Sequence, residues 1–446
     1  MGVKVAKFGG TSLADAGQIL KVKAIVEADS DRRYVVPSAP GKRGKSDQKI
    51  TDLLFLCHEQ AKQGVKTDEV FRMIADRFNT IVSDLKMKLD LTPHLSEIKR
   101  RIQIGASADY AASRGEYLTA IILAELLGYD FVDAADVVHF DSSGRYDNEL
   151  TTESVGQRLR KHKRAVVPGY YGSMPDGTIK TFSRGGSDIS GAVVARGVQA
   201  DVYENWTDVS GLLMADPRVV DNPRTIEELT YRELRELAYM GATVLHDEAI
   251  FPVREAGIPV NIRNTNQPDH TGTMIVSEAS PVQKAGSITG IAGRKDFTVI
   301  AIEKALMNAE KGYGRRLLEV LEVHGISFEH MPSGIDTISV VISSPQLKGK
   351  EKKVLEDIKI VCKPDAVDVY PNMAVIATVG RGMAHTPGMA ARLFTALANS
   401  GVNIRMIDQG SSELNIIVGV EADDYDKAVR AIYEAFVNSE VPVGGE

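Results

Sequence analysis

The stretch Lys7-Phe8-Gly9-Gly10-Thr11-Ser12 lies between two apolar patterns with different periods. Residues 3–5 alternate and predict an N-terminal strand, whereas residues 19–26 are amphipathic with a helical period. A glycine pair at such a turn lets a ligand approach the backbone closely, and the first N–H groups of the helix attract anions. The lysine adds a mobile positive charge that suits phosphate. Taken alone, the stretch fits a phosphate cradle or an ordinary glycine turn equally well, because it matches neither common phosphate-binding sequence.

Composition and charge argue against several classes of partner. The chain has 446 residues, of which 43% are hydrophobic and 25% charged, and its formal net charge is −7. This charge gives no electrostatic footprint for nucleic acid. Cys57 and Cys362 form neither a disulfide framework nor a metal-binding spacing. No apolar run approaches the roughly 18 residues of a membrane-spanning helix, and the N-terminus lacks a signal-peptide pattern, so we expect a cytoplasmic protein without a membrane partner.

Strand and helix signals alternate along the first part of the chain. Residues 33–39 and 164–171 read as buried strands that end in small or glycine-rich turns, and a shorter strand is predicted at residues 137–138. Residues 59–104 are charged with a helical period, which indicates a helical excursion with solvated faces. The alternation predicts an α/β fold with a mainly parallel sheet covered by helices on both faces.

The ends of the predicted strands indicate where a ligand would bind. Ligands of parallel sheets bind at the carboxyl ends of the strands, so the glycine-rich segments at residues 9–10, 38–44 and 169–172 should converge at one edge. The spacing of Ser12 and Asp15 predicts a capping box at the start of the first helix.

A second glycine pair occurs in the segment Ser183-Arg184-Gly185-Gly186-Ser187-Asp188, just before a run of small helical residues. Arg184 could hold a carboxylate bidentately, and the start of the helix adds donors for negative charge. Asp188 could act as a base or as a metal ligand. The alternative is a turn in which Arg184 and Asp188 bridge internally.

A later strand ends near the single tryptophan, Trp206. Trp206 itself suits the core, whereas Thr207, Asp208 and Arg218 are candidates for contacts with a small molecule. After a last predicted strand, residues 266–287 are rich in Pro, Asp, Thr, Gly and Ser, and this composition marks a link between domains.

The final third of the chain repeats itself. Residues 317–341 align with residues 393–417 at one constant offset, which places Gly325 on Gly401. Each copy reads strand, helix, strand, strand, helix, which predicts a duplicated βαββαβ unit. The second copy has little room for a closing strand, and a spare strand precedes the first copy at residues 287–291. We expect this spare strand to complete the second copy, so that the two units interlock.

Four motifs taken together resemble one family. They are Lys7-Phe8-Gly9-Gly10-Thr11-Ser12, Ser113-Arg114-Gly115-Glu116, Phe182-Ser183-Arg184-Gly185-Gly186-Ser187-Asp188, and Trp206-Thr207-Asp208-Val209 followed by Asp216-Pro217-Arg218. In this order the chain resembles the aspartokinases of the amino acid kinase superfamily over nearly its whole length. The C-terminal duplication resembles their tandem ACT domains. The resemblance implies an amino acid kinase fold in residues 1–285 and a regulatory region in residues 286–446, with two interlocked ferredoxin-like ACT domains at about 300–370 and 373–446.

The resemblance also implies a reaction, the ATP-dependent phosphorylation of the β-carboxylate of L-aspartate, with Mg²⁺ and with no residue assigned as a direct metal ligand. Lys7 would bridge the ATP phosphates, helped by the N–H groups of Gly9 and Gly10, and Arg184 would grip an aspartate carboxylate. Asp188 would take the α-amino group or organise Lys7 rather than act as a base. The implied catalytic residues are Lys7 and Asp188, the substrate-binding residues are Ser38, Thr51, Glu116, Arg184 and Ser187, and the ATP-binding residues are Lys7, Gly9, Gly10, Thr11, Thr207, Asp208, Asp216 and Arg218.

Two positions and one loop depart from the family pattern. Thr243 stands where the family often has lysine, and Leu213 stands where it commonly has tyrosine. Both positions face nucleotide in the family, so these departures concern the adenine side. The loop at residues 40–50 is longer and more basic than expected, and it fits either a lid over ATP or a solvated loop.

The ACT resemblance implies feedback inhibition by an end-product amino acid. Glu329 and Asp336 could meet a lysine ammonium group, which favours lysine over threonine, and the alternative is that both are solvated loop residues. ACT domains usually pair through their sheets, so we expect a homodimer or a homotetramer. The implied effector residues are Met307, Gly312, Tyr313, Gly314, Glu329 and Asp336.

Two other functions stay open at this point. One is the same fold acting on acetylglutamate, glutamate or UMP, against which the paired ACT units and residues 113–116 argue. The other is a non-catalytic amino-acid sensor, against which intact Lys7, Arg184 and Asp188 argue. The aspartokinase reading implies the first step of lysine, threonine and methionine biosynthesis. Because the chain ends at residue 446, we expect no homoserine dehydrogenase extension.

Overall fold

The computed structural model describes residues 2–183, 185–242, 247–278 and 287–438. Its first unit contains the described residues up to 212 together with 225–231 and 247–278, and its second contains 213–224, 232–242 and 287–438. Each unit has its own sheet and its own apolar core. Two segments from the middle of the chain, 213–224 and 232–242, therefore belong to the second unit.

A mainly parallel sheet forms the centre of the first unit. The strands described in this unit are β1 (Lys4–Phe8), β2 (Arg32–Pro37), β3 (Asp130–Phe131), β4 (Ala165–Val166), β5 (Tyr171–Ser173), β6 (Ile179–Thr181), β7 (Val202–Thr207), β8 (Glu228–Thr230), β9 (Val260–Asn264) and β10 (Thr273–Val276). Eight of them form one sheet in the order β3-β4-β2-β1-β7-β9-β10-β8. Its neighbouring strands are parallel except β9 and β10, and β5 pairs with β6 as a separate antiparallel hairpin.

Helices pack on this sheet. They are α1 (Ala16–Glu27), α2 (Ile50–Lys62), α3 (Asp68–Asp84), α4 (Thr92–Gln103), α5 (Ala108–Leu127), α6 (Asn148–Leu159), α7 (Gly186–Val198) and α9 (Phe251–Glu255), while α8 (Tyr231–Tyr239) begins in the first unit and continues in the second. The charged stretch of residues 59–104 forms the end of α2 followed by α3 and α4, so the predicted helical excursion is confirmed. The apolar faces of these helices join Phe8 and Trp206 in one core cluster.

The glycine-rich strand ends converge at one edge of the sheet, as predicted. The Ser38 N–H donates to the Phe8 carbonyl at 3.0 Å, and the Gly169 N–H donates to the Pro37 carbonyl at 3.0 Å. The Gly41 N–H donates to the Gly10 carbonyl at 2.8 Å. The carboxyl ends of β1, β2 and β4 are therefore joined by backbone hydrogen bonds, and the edge they form is a place where a ligand could bind.

The predicted capping box is wrong. Asp15 is itself the N-cap of α1, and its carboxylate accepts a hydrogen bond from the Gln18 N–H at 2.9 Å. Ser12 instead lies in the 3₁₀ turn Gly10–Leu13, with its hydroxyl oxygen 2.7 Å from that of Thr265. The helix starts one short turn later than the spacing suggested, because the glycine turn continues into the 3₁₀ segment.

One strand prediction and the predicted link between domains also need correction. Val137 and Val138 are not a strand, because both N–H groups bond back to the Ala134 carbonyl in a tight turn. Part of the predicted link at residues 266–287 is β10, a strand of the main sheet, in which Thr273 and Ile275 are fully buried. The turn-rich composition of residues 265–272 belongs to the connection between β9 and β10, within the first unit.

The second unit is built on an antiparallel sheet. Its described strands are β11 (Gly290–Glu303), β12 (Thr337–Ser343), β13 (Ala366–Val379), β14 (Met406–Asp408) and β15 (Asn415–Glu421), and its further helices are α10 (Tyr313–Val323), α11 (Ser344–Leu347), α12 (Glu351–Cys362), α13 (Met389–Asn399) and α14 (Tyr425–Tyr433). The strand order is β12-β11-β13-β15-β14. Within the residues the structure describes, in either unit, no helix has the length and apolar character needed to cross a membrane.

The internal repeat is visible in the helices. α10 and α13 correspond residue for residue at the predicted offset, and each is followed by a glycine with positive φ, Gly325 at 62° and Gly401 at 66°. The copies differ after that glycine. The second copy has the predicted strand pair β14 and β15, whereas the first copy has β12 with only isolated bridges at His330 and Ser333.

The long strand β11 contacts both copies. Its residues 290–294 pair with 375–379 of β13, and its residues 297–303 pair with 366–373. Ile291 packs in the core of the second copy, whereas Ile300 packs in the core of the first. The spare strand and the opening strand of the first copy are thus one continuous strand.

Candidate active site

Three polar side chains meet where β1, β7 and α7 come together. Lys7 of β1 lies directly beside Asn205 of β7 in the sheet register, and Asp188 is in the first turn of α7. The Lys7 ammonium nitrogen is 2.5 Å from Asp188 Oδ1 and 3.3 Å from Asn205 Oδ1. The Asn205 amide donates to Asp188 Oδ1 at 2.8 Å. Each side chain therefore contacts the other two, and Lys7 is 6% exposed.

Small residues let α7 approach the sheet closely enough to form this cluster. A Cβ at Gly191 would lie 2.5 Å from the Tyr203 hydroxyl oxygen, so only glycine fits there. The same hydroxyl donates to the Asp188 carbonyl at 3.0 Å, which fixes the first turn of α7 against β7. Gly185, just before α7, has φ of 58°, a left-handed conformation that favours glycine.

The glycine turn lies beside Lys7. The Gly9 N–H donates to the Trp206 carbonyl at 3.0 Å, which ties the turn to the end of β7. This N–H is therefore already used within the protein, and the expectation that it donates to phosphate is wrong. A Cβ at Gly10 would lie 2.9 Å from the Ala39 carbonyl oxygen, so the turn and the loop after β2 are in direct backbone contact. Thr11 is exposed at the start of the 3₁₀ turn. The turn therefore combines a close backbone approach with access to solvent, as a phosphate site requires.

Glu116 contributes a buried carboxylate next to this loop. It is on α5 and is 5% exposed, and its Oε2 atom has no hydrogen-bond partner among the described residues. Burial raises the pKa of Glu116 from 4.5 to about 8, while the backbone of Ala39 favours the charged form. Such a carboxylate is ready to receive a cationic group, because an ammonium partner would offset its desolvation.

The other predicted substrate residues have less uniform surroundings. Ser38 follows β2 at the edge where the strand ends converge. Ser187 packs against Gly169, where an added Cβ would be 2.9 Å from its hydroxyl oxygen. Thr51 is half-buried in the first turn of α2. Arg184 lies outside the described residues. The structure therefore brings Ser38, Glu116 and Ser187 to the same edge as Lys7, through Phe8, Ala39 and Gly169.

The predicted nucleotide residues divide between the two units. Thr207 ends β7, and its hydroxyl donates to the exposed Asp208 at 3.3 Å. Asp216 and Arg218 belong to the second unit, where they form an ion pair at 2.6 Å, and the hydrogen bond from Arg218 lowers the pKa of Asp216. Leu213 is also in the second unit, and Thr243 lies outside the described residues.

Asn205 is the site residue that sequence reasoning missed. The signal was present in β7, because Glu204 and Asn205 are consecutive polar residues in a strand that is otherwise apolar and buried. Buried polar side chains normally have partners, so each needed one. Glu204 binds Arg32 at 2.7 Å, and Asn205 binds Lys7 and Asp188. Among the described residues no group of three or more His, Cys, Asp or Glu could hold a metal ion.

Most of the predicted effector residues lie at or beside the start of α10. Gly312 has φ of 79° and begins the helix, and Met307 and Tyr313 are buried beside it. A Cβ at Gly314 would meet open space. Asp336 Oδ1 accepts a hydrogen bond from the Leu306 N–H at 2.8 Å.

Glu329 has a different neighbour within the second unit. Burial, and then the adjacent Glu329 carboxylate, raise the pKa of Tyr239 to about 12. Glu329 and Asp336 thus each have a different protein neighbour in the described structure.

Two family models match the chain. Residues 2–264 match the model of the amino acid kinase family, and residues 376–436 match a model of the ACT domain. The chain is 39% identical to aspartokinase 3 of Bacillus subtilis, over 97% of this chain and 98% of that protein. The crystal structure of an aspartate kinase of Clostridium acetobutylicum, described as an allosteric enzyme, is 55% identical with a TM-score of 0.91, covering 98% of this chain and 100% of that one.

Two crystal structures of aspartokinase III of E. coli, each 25% identical, are also similar. One holds aspartate and ADP and has a TM-score of 0.70, covering 97% of this chain and 99% of that one. The other holds lysine and aspartate and has a TM-score of 0.73, covering 98% and 99%. The resemblance inferred from the four motifs is confirmed by matches of nearly full length. The chain therefore belongs to the aspartokinase family, the aspartate kinases with an amino acid kinase fold and an ACT domain.

Proposed function

We propose that this chain transfers the γ-phosphoryl group of ATP to the β-carboxylate of L-aspartate, giving 4-phospho-L-aspartate and ADP. The observation that carries the proposal is the buried Lys7, held by Asp188 and Asn205 beside the Gly9-Gly10 turn. A fixed cation beside a glycine turn whose Thr11 is exposed suits the developing charge of a transferring phosphoryl group. The relative from E. coli, solved with aspartate and ADP, supports the same pair of substrates.

On the ATP side, Lys7 neutralises phosphate charge while the N–H groups of Gly10 and Thr11 donate to phosphate oxygens. Thr207 and Asp208 are at the end of β7 and extend the site toward the nucleoside. We assign Gly9, Asp216 and Arg218 to the nucleotide as well, from the family motif. Mg²⁺ would be held mainly by the phosphates, with the exposed Asp208 at the end of β7 as a candidate protein ligand, and it would supply further positive charge.

On the aspartate side, Arg184 binds a carboxylate of the substrate, and Glu116 receives its ammonium group. Ser38, Thr51 and Ser187 complete the pocket. A carboxylate nucleophile is already ionised at neutral pH and needs no strong base. Asp188 therefore acts by fixing Lys7, and the 2.5 Å contact between them supports this role over that of a base.

Regulation of the reaction resides in the second unit. We assign lysine as the inhibitor, bound near Met307, Gly312, Tyr313 and Gly314 with its ammonium groups near Glu329 and Asp336. The E. coli relative, solved with lysine and aspartate, supports this choice. The reaction would then be the first step of lysine, threonine and methionine biosynthesis, controlled by one of its products.

Exposed apolar side chains of the second unit support self-association of this chain through its ACT sheets. Ile407 of β14 is 50% exposed and Tyr370 of β13 is 38% exposed. Isolated large apolar side chains are common on protein surfaces, so the proposal needs a direct measurement. Light scattering after size exclusion should give the mass of a dimer or tetramer, and a monomer at micromolar concentration would contradict it.

One assay tests the reaction against its competitors. The protein is incubated with ATP, Mg²⁺ and one acceptor at a time, aspartate, glutamate, acetylglutamate or UMP. ADP release is followed, and acyl phosphate is trapped as hydroxamate. Hydroxamate with aspartate alone supports the proposal. A signal with another acceptor reassigns the substrate, and no ADP release with any acceptor supports a sensor without catalysis.

A further inference from the structure

A buried arginine lies on a helix that the charge pattern marks as solvated. Arg77 is on α3 and is 6% exposed. Its Nη1 donates to the Ala14 carbonyl at 3.0 Å and to the Gly41 carbonyl at 3.4 Å. Its Nη2 donates to the Asp47 carboxylate and to the Gln48 carbonyl at 3.4 Å. The guanidinium group thus has four acceptors, three of them backbone carbonyls.

These acceptors belong to two different segments of the first unit. Ala14 directly follows the 3₁₀ turn that begins at Gly10. Gly41, Asp47 and Gln48 belong to the loop of residues 38–49 between β2 and α2, which we call the β2–α2 loop. One guanidinium group therefore holds the glycine turn and the β2–α2 loop together.

The two segments also touch directly. A Cβ at Gly41 would lie 2.7 Å from the Gly10 carbonyl carbon, and the Gly41 N–H donates to the Gly10 carbonyl at 2.8 Å. The start of the loop meets α5, because a Cβ at Gly115 would lie 2.7 Å from the Ala39 Cβ, and the Ala39 backbone faces Glu116. A displacement of the loop would move the surroundings of Glu116 relative to the glycine turn.

We propose that Arg77 is a positioning residue for phosphoryl transfer, which sets the distance between the glycine turn and the β2–α2 loop. This inference rests on the proposed function, in which the turn binds ATP phosphates and the start of the loop borders bound aspartate. Arg77 touches neither substrate in this account. It acts by keeping the two binding surfaces in register, and small errors in the alignment of reacting groups reduce rates strongly.

Arginine suits this role better than lysine. A planar guanidinium group presents several donors in fixed directions, whereas an ammonium group is a single point charge on a flexible stem. The Asp47 carboxylate completes the arrangement, since Arg43 also binds it at 3.0 Å. The hydrogen bonds from Arg43, and then that from Arg77, hold the pKa of Asp47 well below its usual range, so its charge persists at neutral pH.

The test uses four variants of the full chain. Arg77→Met removes the hydrogen-bond donors, and Arg77→Lys keeps the positive charge without the planar guanidinium group. Asp47→Asn weakens only the contact of Arg77 with the β2–α2 loop. Arg72→Met is the matched control, because Arg72 is an exposed arginine on the same helix. Each variant is assayed below its own unfolding temperature, so that a loss of stability cannot imitate a loss of positioning.

For Arg77→Met we expect the aspartate KM to rise about tenfold and kcat to fall about tenfold, while the ATP KM changes less than about threefold. Arg77→Lys and Asp47→Asn should show the same pattern to a smaller degree, and Arg72→Met should match the wild type. If Arg77→Met does not fold, Asp47→Asn decides, and an unchanged aspartate KM in that variant overturns the proposal.

A second measurement does not depend on activity. Lys42, Arg43 and Lys45 are exposed trypsin sites within the β2–α2 loop. Release of the loop in Arg77→Met should speed cleavage there about tenfold relative to Arg72→Met, since cleavage follows the population of the open form. Equal cleavage rates, with unchanged kinetics, overturn the proposal. A wild-type protein without aspartate kinase activity would instead refute the proposed function, and the cleavage result would still report whether Arg77 holds the loop.

Discussion

The ammonium group of Lys7 lies 2.5 Å from a carboxylate oxygen of Asp188, and Asn205 contacts both side chains. Lys7 is therefore not a mobile surface lysine, because its position is set by α7 on one side and by β7 on the other. A cation that is fixed before the reaction needs no reorganisation when charge develops on the phosphoryl group. The largest losses of activity should follow from changes within this cluster.

Lys7→Ala should lower kcat by about 10²–10³-fold, since a charge directed at the transferring phosphoryl group is lost. Circular dichroism and thermal unfolding should show that the fold is kept. Lys23→Ala is the control, because Lys23 is a partly exposed lysine on α1 whose ion pair is with Glu27 at 3.7 Å. Full activity of Lys7→Ala would refute the role given to Lys7.

Asn205→Asp should lower kcat by about 10–10²-fold while changing the side-chain volume little. The new carboxylate would lie beside Asp188, and two adjacent carboxylates disfavour each other's ionisation. The Lys7 ammonium would then be shared between two acids, and less of its charge would act on phosphate. A steady-state rate measured from pH 6 to 9 should show a new ionisation that the wild type lacks.

Asn261→Asp is the matched control for Asn205. Asn261 is equally buried in the adjacent strand β9, but its amide donates to the carbonyls of Thr271 and Thr273. It should lose stability without the new ionisation in the rate profile. A similar kinetic effect in both variants would mean that burial of charge alone explains the result.

Asn205 shows what a single sequence does not reveal about a site. Its partners depend on β7 lying directly beside β1, a pairing between residues almost 200 positions apart. Local patterns predicted both strands and the turn before α7, but not which strands are neighbours. The same gap explains Arg77, whose helix has the charge pattern of a solvated face and whose buried contacts arise from the packing of α3 on the glycine turn.

More of the fold than of the site could be predicted from the sequence. Alternation of strand and helix, glycines at strand ends and the repeat around Gly325 and Gly401 are local signals, and they led to the α/β class and to the duplicated βαββαβ unit, which the family resemblance then identified with ACT domains. The strand β10 was missed because it is short and directly follows the turn-rich residues 265–272. Membership of residues 213–224 in the second unit depends on packing between distant segments, which no local pattern in that stretch reveals.

Gly10→Ala should lower activity at least about tenfold, because its Cβ would press on the Ala39 carbonyl and move the turn or the loop. Gly9→Ala is a more specific probe, since its Cβ would have ordinary contacts of 3.6 Å with the Trp206 carbonyl and 3.7 Å with the Lys7 ammonium nitrogen. We expect Gly9→Ala to keep its stability and to raise the ATP KM.

Gly44→Ala provides the control for both glycine variants. Its Cβ would meet open space, and Gly44 does not have a positive φ. Unfolding temperatures and the ATP KM of the three variants should therefore separate steric damage at Gly10 from lost phosphate access at Gly9. An unchanged ATP KM in Gly9→Ala would argue against phosphate binding at the turn.

Aspartate binding should strengthen as the pH rises toward 8. Burial raises the pKa of Glu116 from 4.5 to about 8, so below pH 8 the carboxyl group is protonated and must lose a proton to bind the substrate ammonium group. The aspartate KM should fall up to about tenfold per pH unit from pH 6 to 8 and level off above it. Glu116→Gln should have a higher KM without this pH dependence, and a parallel pH profile in both proteins would contradict the assignment.

The raised pKa of Glu116 also affects the free energy of unfolding, and its contribution there falls as the pH rises. The folded state binds more protons than the unfolded chain between pH 4.5 and about 8, because the folded-state pKa of Glu116 is the higher one. The stabilising contribution of the protonated group is complete below pH 4.5 and is lost as the pH rises to about 8. Denaturant unfolding of the protein without substrates should therefore show a decline over this range that Glu116→Gln reduces.

Asp336→Asn should raise the lysine concentration for half inhibition by about tenfold or more, as expected for the loss of a charge-assisted hydrogen bond to an ammonium group. The asparagine oxygen can still accept the hydrogen bond from the Leu306 N–H, so the loop before α10 should keep its shape. Glu329→Gln should have a similar effect, and Glu322→Gln is the control because Glu322 is an exposed acid on the same α10 helix. Inhibition curves with lysine, threonine and methionine, each referred to the rate without effector, complete the measurement. Inhibition by threonine or methionine but not by lysine would reassign the effector, and unchanged lysine curves in both acidic variants would place the lysine site elsewhere on the chain.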